Sequence, residues 1–581
     1  MRRSTPSFFA VVALIAFIAC SLAVMTFTAC TNMVGCQGCN APPPQWLAYR
    51  NNPGRYAAQF LYSQLSNPTK VLATLHVGWK SPNPATWTGP TMPAGFRASP
   101  IVFNNTVFIG DLNGVFWALK AADGTFKWRY PPTGAGLNGS CTSGGNGSWG
   151  AYGIQSSATY ASIGTRDAVI FGAPDPDPGT DGGNGSARLW ALDAGTGALI
   201  WKSDAVASVP ACGGNIHERI TYSSPLVASG KVYVGVHDAG DDPVQKGRLV
   251  AVDLNTGHLI TAGFPFLVDG APGDLTCGGV CGGGVWDSPA FNGRGIVFTT
   301  GNVCDFNVAG SPPCQAEPSP DYSLSMVNID PDSGALNWHF RAIPFARDHD
   351  PDWSAGPTSM LTSCGQLTAS VQKNGWTYAL DSSTGSCKWQ FPPTAGPSCV
   401  FSPTTATDLY GDDDYKQPGA SWGDYLFIQT GGEALTDPGG VGNGYGRIHA
   451  LDACQSDSHR VRWIFDIPPA DFGGGYPIGA PTVTNGMVYV TSSGGHVIAL
   501  ADPAVAPPVG FRCSSTDFGP PSSTWVSDCL GAGFSIIPVP ASRDVALDDG
   551  GDAVGLRMEP AIALDKLFVA TNGGHVYALW P

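Results

Sequence analysis

A short phrase recurs eight times along the 581 residues: an apolar pair around alanine or asparagine, usually an acid, then a glycine turn and often a tryptophan. It reads WALKAADGTFKW, WALDAGTGALIW, VAVDLNTGHLI, VNIDPDSGALNW, YALDSSTGSCKW and HALDACQSDSHRVRW, then the shorter IALADP and YALWP. Its centres fall at Ala118, Ala191, Ala251, Asn328, Ala379, Ala450, Ala499 and Ala578. Repeats spaced by roughly 40 to 50 residues or more mark propellers and arrays, because each unit buries its apolar face only against its neighbours.

Each copy alternates apolar and polar residues, reaches a TG, DG or SG turn and resumes with an apolar residue and Trp, which predicts two antiparallel strands joined by a tight turn. Another pair of strand-like segments lies ahead, as in SSPLVASGKVYVGV before Val250 and DSPAFNGRGIVFTTG before Val327. Four strands per unit and eight units predict an all-β, eight-bladed β-propeller. The last copy reaches Trp580 and Pro581 directly after its third strand, so the eighth blade lacks its outermost strand. The segment VLATLHVGWK, residues 71–80, has the missing pattern and is expected beside Tyr577, closing the ring from the N-terminal side and leaving no long unpaired edge. The predicted organisation is a leader at 1–29, a linker and N-terminal cap at 30–68, and the propeller at 69–581. Long insertions at 132–152, 175–186, 304–322, 408–417 and 503–550 are expected as rim loops, where binding sites are commonly built.

Abundant glycine and proline and the lack of helical periodicity agree with a turn-rich β-protein. A net charge of −15 with no basic stripe argues against a nucleic-acid partner, since phosphate contacts need clustered Lys and Arg. Arg2 and Arg3 precede an uncharged apolar run at 8–29, and Cys20 and Cys30 each follow a small residue. That pattern fits a secretory signal, a lipoprotein signal cleaved before Cys30, or an uncleaved anchor. Each predicts export to the periplasm or cell surface, with lipid or membrane attachment through the N-terminus in two of the three. Cys277 with Cys281, Cys304 with Cys314 and Cys513 with Cys529 are closely spaced in loops, where disulfides suit an exported protein. Cys36 and Cys39 form CQGCN, with Asn40 where a haem-attachment motif has His, so a disulfide or free thiols in a linker is the expected role.

With the repeat and its loops in view, ALDAxTGxxxW resembles the pyrroloquinoline quinone (PQQ) repeat of quinoprotein alcohol dehydrogenases over essentially all of residues 70–581. The blade phrase is shared with non-enzymatic propellers such as the outer-membrane assembly lipoprotein BamB, so a non-catalytic envelope scaffold or binding protein is the competing expectation. The loops carry the enzymatic resemblance. CGGGVWDSPAFNGRGIVFTTGN is similar to the stretch in which a Trp forms the floor beneath the quinone and an Asn after TG ligates calcium, implying those roles for Trp286 and Asn302. DSGALNWHFRAIPFARDHDPDWSAGP resembles the segment holding the catalytic Asp, which falls on Asp352. SVQKNGWTYALDSSTG is similar to the segment whose basic residue contacts the quinone oxygens, here Lys373. The wording of the Trp286 and Asp352 loops most resembles polyvinyl-alcohol-dehydrogenase-like proteins.

The resemblance implies oxidation of an alcohol, secondary or polymeric among the candidates, by hydride transfer to PQQ. Ca2+ would act as Lewis acid, Asp352 as base and metal ligand, and Lys373 would stabilise charge developing on oxygen. Trp offers a large polarizable face to a flat quinone, and amide and carboxylate oxygens suit calcium. No CxxCH is present, so a separate electron acceptor such as a cytochrome c is the implied partner. Two features depart from the family pattern. Its vicinal cysteine pair is represented by Cys141 alone, and the calcium-binding Glu expected after KVYVGV is replaced by HDAGDDPVQKG, offering Asp238, Asp241 or Asp242, of which Asp242 is the assigned ligand. Ser354 stands where lanthanide-using members carry a further Asp, which favours calcium. On residue type alone, Asn302 after Gly301 and Lys373 before Asn374-Gly375 also fit ordinary turns, and Asp352 fits a solvated acidic loop.

Overall fold

The computed structural model describes residues 45–581 apart from 138–152, 178–185, 208–218, 238–246, 269–282, 302–321, 343–352, 373–375, 392–398, 400–417, 431–445, 468–478, 514–535, 549–558 and a few single positions. Eight antiparallel sheets span 101–130, 159–202, 226–267, 290–341, 358–391, 420–467, 482–546 and 561–580, one per predicted blade. All eight phrase centres sit in the third strand of their blade, and all are buried.

The recurrence of alanine and tryptophan follows from strand register. Ala118 faces Trp128 across the third and outer strands, as do Ala191 and Trp201, Asn328 and Trp338, Ala379 and Trp389, and Ala450 and Trp463. A small residue opposite the indole leaves room for it on the shared face. The indole then seats on the turn glycine of the next blade. A Cβ on Gly197 would lie 2.6 Å from Trp128, one on Gly257 2.8 Å from Trp201, and one on Gly385 2.6 Å from Trp338. Glycine is demanded twice, because Gly197, Gly257 and Gly385 also have φ of 74°, 74° and 69°. The acid of the phrase shapes the same turn: Asp193 Oδ1 accepts from Gly195 N–H, Thr196 N–H and Thr196 Oγ1, at 3.1, 2.9 and 2.8 Å. Asp330 repeats this with Ser333, whose backbone N–H is the main reason its carboxyl lies below the usual range. Gly197→Ala is therefore expected to cost about 2–4 kcal/mol, combining left-handed strain with overpacking against Trp128. Urea unfolding measures it, and a loss below about 1 kcal/mol would mean that the indole does not depend on that glycine.

Ring closure follows the predicted route with a shorter strand. His76–Ser81 pairs antiparallel with Val576–Trp580 and completes the eighth blade. Trp79 faces Ala578 and packs on Gly124 of the first blade, so the closing strand supplies the tryptophan that the final phrase lacks. The front of the predicted strand is instead helix, Pro68–Thr74. Asn67 caps it by accepting from Lys70 N–H at 3.1 Å, and Pro68 occupies the first turn, where its missing N–H costs nothing.

One further expectation changes. The stretch 503–550 is more than a loop: Gly510–Cys513 and Ile536–Val539 form a ribbon, and Ala541–Ala546 is the outer strand of the seventh blade. The cysteine pairs expected in loops lie outside the residues whose side chains are described. Among the described residues the disulfides are Cys364–Cys454, with Cα atoms 5.6 Å apart, and Cys387–Cys399. The first joins a turn of the fifth blade to the glycine-poor turn of the sixth. There Trp389 meets the Arg460 guanidinium 4.4 Å from its ring instead of a glycine.

The stretch expected as linker and cap is described from residue 45. From residue 46 it runs inside the ring against the inner strands. Trp46 bridges Val102 of the first blade and Ala48 bridges Thr159 of the second. Pro53, Gly54 and Tyr56 carbonyls accept from Phe291, Ser359 and Ser421 of the fourth, fifth and sixth. Ala58–Gln59 pairs in parallel with Thr482–Thr484 of the seventh. Gln59 Nε2 reaches Ile562 O of the eighth at 3.0 Å.

Candidate functional site

A serine belt marks one end of the ring. Just ahead of the inner strands, Glu559 N–H donates to Ser99 Oγ, Ser99 N–H to Ser157 Oγ, Ser157 N–H to Ser224 Oγ and Ser224 N–H to Ser288 Oγ, at 3.1, 2.9, 3.0 and 2.9 Å. The chain is thereby stitched from the eighth blade through the first three to the fourth. This is the physical content of the SP and SS dipeptides that precede these strands. Two residues ahead of the belt stand Arg97, Gln155, Tyr222 and Trp286, one from each of four successive blades. Arg97 Nη1 lies 3.4 Å from Gln155 Oε1, and Tyr222 stacks on His237 with ring centroids 5.8 Å apart.

Trp286 is half-buried on the segment entering the fourth blade. Val285 N–H donates to Val236 O of the third blade at 3.1 Å, and Gly301 N–H to Gly284 O at 2.8 Å. Asn302, Asp352, Lys373 and Asp242, with Asp238 and Asp241, lie outside the described residues. What the structure describes is where their loops are anchored. In an antiparallel blade the segment entering the inner strand and the turn between second and third strands lie at the same end. The loops of Trp286 and Asp352 are of the first kind, and those of Asp242, Asn302 and Lys373 of the second.

The anchors also meet. The Thr299 hydroxyl lies 3.1 Å from Asp287 Oδ2 and 3.3 Å from Ala355 O, and Ser370 Oγ donates to the same Ala355 carbonyl at 2.6 Å. These residues are one to three positions from Trp286, Asn302, Asp352 and Lys373 in sequence. A second anchor is aromatic: Trp353, fully buried, packs edge-on against Tyr378 at 5.6 Å, and Trp376 lies 6.3 Å from Tyr378. Gln372 N–H donates to Trp376 O at 2.9 Å, so the residues on either side of 373–375 are tied together.

Next to the belt the N-terminal stretch brings buried charge inside the ring. Arg50 Nη1 donates to Glu559 Oε2 at 3.0 Å and Arg50 N–H to Oε1 at 2.6 Å, with both residues buried. Burial pushes the Glu559 carboxyl up to about 7 against the opposing pull of Arg50, and pushes the Arg55 guanidinium down to about 10. Tyr49 is raised well above its ordinary value by burial, with Glu559 adding to it. Arg50, Arg55 and Glu559 escaped the reading of the sequence. Two arginines among Trp46, Leu47, Tyr49 and Tyr56, in a chain where only 13% of residues are charged, were the available sign.

The family described as "Glucose/ethanol/alcohol dehydrogenase, beta-propeller domain" (PQQ) matches residues 46–394, more than half of the chain. The dehydrogenase subunit of the quinone-type alcohol dehydrogenase of Gluconobacter oxydans is 25% identical over 381 residues, covering 59% of this chain and 44% of that protein. Quinohemoprotein alcohol dehydrogenase ADH IIB of Pseudomonas putida is 27% identical over 320 residues, covering 50% and 40%. The matched region thus spans less than half the length of either relative. In fold, the chain superposes on quinohemoprotein alcohol dehydrogenase from Comamonas testosteroni with a TM-score of 0.62 at 16% identity, covering 94% of this chain and 82% of that one. A europium-containing methanol dehydrogenase gives 0.58 at 16% identity, covering 93% and 99%. The chain belongs to the PQQ-type glucose/ethanol/alcohol dehydrogenase β-propeller family.

Proposed function

We propose that this chain is an exported quinoprotein oxidoreductase that oxidises an alcohol, with secondary and polymeric alcohols as the substrates to test first, and passes electrons to a separate acceptor such as a cytochrome c. The observation that carries this reading is the meeting of the Asp287, Thr299, Ala355 and Ser370 anchors, from which the loops of Trp286, Asn302, Asp352 and Lys373 depart at one end of the ring. Residue chemistry agrees with it. A half-buried indole suits one face of a flat quinone, while the amide of Asn302 and the carboxylates of Asp352 and Asp242 suit calcium. Among the described residues no three His, Cys, Asp or Glu gather, so a metal would depend on those loop side chains.

PQQ supplies the two-electron oxidant and calcium the Lewis acid when both are bound. The protein's part is binding, orientation and proton handling. Trp286 provides the stacking face, Asp352 takes the proton from the substrate hydroxyl oxygen, and Lys373 donates hydrogen bonds to oxygen where negative charge develops. Export is part of the proposal, with the apolar run at 8–29 acting as signal or anchor.

The test is direct. The purified protein, titrated with PQQ at several calcium concentrations, is expected to retain quinone absorbance and to reduce an artificial dye with at least one of a panel of primary, secondary and polymeric alcohols. Failure to bind PQQ at any calcium level would overturn the reading in favour of a non-catalytic propeller.

A further inference from the structure

Arg55 is buried inside the ring, and its guanidinium is spread over backbone carbonyls. Nε donates to Pro289 O at 2.9 Å, Nη2 to Ser224 O and Pro225 O at 3.2 and 3.1 Å, and Nη1 to Tyr49 O at 2.7 Å. Three of these carbonyls belong to two neighbouring turns, the Ser-Pro entries to the inner strands of the third and fourth blades. The same turns are tied directly by Ser224 N–H to Ser288 Oγ at 2.9 Å and by Ser223 Oγ to Asp287 O at 3.1 Å. Just ahead in each turn stands an aromatic residue, Tyr222 in one and Trp286 in the other. The stretch that carries Arg55 is itself held here, because Phe291 N–H donates to Pro53 O at 2.7 Å.

We propose that Arg55 is a positioning residue: acting on turns as distant as 234 residues in sequence, it sets the spacing and tilt of Tyr222 and Trp286 and so the shape of the face on which a flat ligand stacks. That the ligand is PQQ rests on the function proposed above. The residue type fits the task. A planar fork can hold carbonyls of both turns at once, whereas the compact ammonium of lysine has three donors and no fixed plane. Desolvated carbonyls left without a donor would be free to turn toward water, and the aromatic residues ahead of them would move with the backbone.

The experiment compares the full-length protein with Arg55→Lys, and with Gly197→Ala as a control that loosens the rim of the second blade away from these turns. The emission of Trp286, isolated as the difference between each protein and its Trp286→Phe counterpart, is titrated with acrylamide in the absence of PQQ. Arg55→Lys is expected to raise the quenching constant of Trp286 at least about twofold, and Gly197→Ala to leave it unchanged, because only the first releases the supporting turns. PQQ affinity in the presence of calcium is expected to fall about tenfold or more in Arg55→Lys alone, as misplacement of a binding face demands. Equal quenching in the two variants would overturn the proposal. If the unaltered protein binds no PQQ, the quinone reading fails by itself, and the quenching comparison still decides the role of Arg55. Arg55→Gln is the second variant should Arg55→Lys not fold. Failure of both to fold would assign Arg55 to the fold alone and also overturn the proposal.

Discussion

Replacing Glu559 with alanine is expected to cost about 3–5 kcal/mol, because it leaves two donors of the buried Arg50, its backbone N–H and Nη1, with no acceptor. Arg50 N–H and Nη1 both lose their acceptor, while Nε remains on Arg55 O at 3.1 Å and Nη2 on the Gly419 carbonyl. The pair joins the N-terminal stretch to the eighth blade, so the loss is felt where the ring closes.

A pH signature accompanies it. Burial raises the folded carboxyl from 4.5 to about 7, so the fold prefers the protonated acid. The associated stabilisation is complete below 4.5, where both states are protonated, and disappears as pH rises through about 7. Glu559→Gln keeps the neutral form at every pH. The variant should therefore gain stability relative to the parent between pH 5 and 8, read from urea midpoints of the two proteins. A difference that stays constant across that range would show that Glu559 does not titrate there.

The second large effect is chemical and rests on the proposed function. Asp352→Asn should lower kcat by roughly 10^3-fold, in the range that a positioned general base contributes. Asparagine keeps an oxygen that can ligate calcium but has no basic lone pair of comparable strength, so PQQ should still bind. Stopped-flow reduction of PQQ-loaded protein by alcohol separates the two. Unchanged reduction in the variant would remove Asp352 from the reaction, whereas loss of quinone binding would make it a ligand first.

Residue patterns exposed different parts of this molecule unequally. The pairing of Ala118 with Trp128 was legible because Ala191 with Trp201, Asn328 with Trp338 and Ala379 with Trp389 repeat it at one spacing, whereas the seat of Trp128 on Gly197 joins two blades at no fixed spacing. The helix at Pro68–Thr74 has a local signal in its Asn-Pro start, and the strand pattern of residues 71–80 overlaps its last turn. The disulfide Cys364–Cys454 could not be read: its cysteines are separated by 90 residues and meet only because the fifth and sixth blades are adjacent. The same holds for the candidate site. Trp286 was singled out by the words around it, but its link to Arg55 has no local trace, since a carbonyl acceptor imposes no residue identity on Pro289, Ser224 or Pro225.

By itself, then, the order of residues determined the number of blades, the strand pairs within them and the need for a closing strand. Those depend on alternation, turn glycines and small residues opposite large ones, all of which are local and periodic. Only the tertiary structure decided that residues 46–59 run inside the ring against the inner strands, and that Arg50, Arg55 and Glu559 share one buried site. It also decided that the entries to the third, fourth and fifth blades meet at Asp287, Thr299 and Ala355. Such contacts join segments far apart in the chain, and they are created by closing the ring rather than by any preference of the residues that make them.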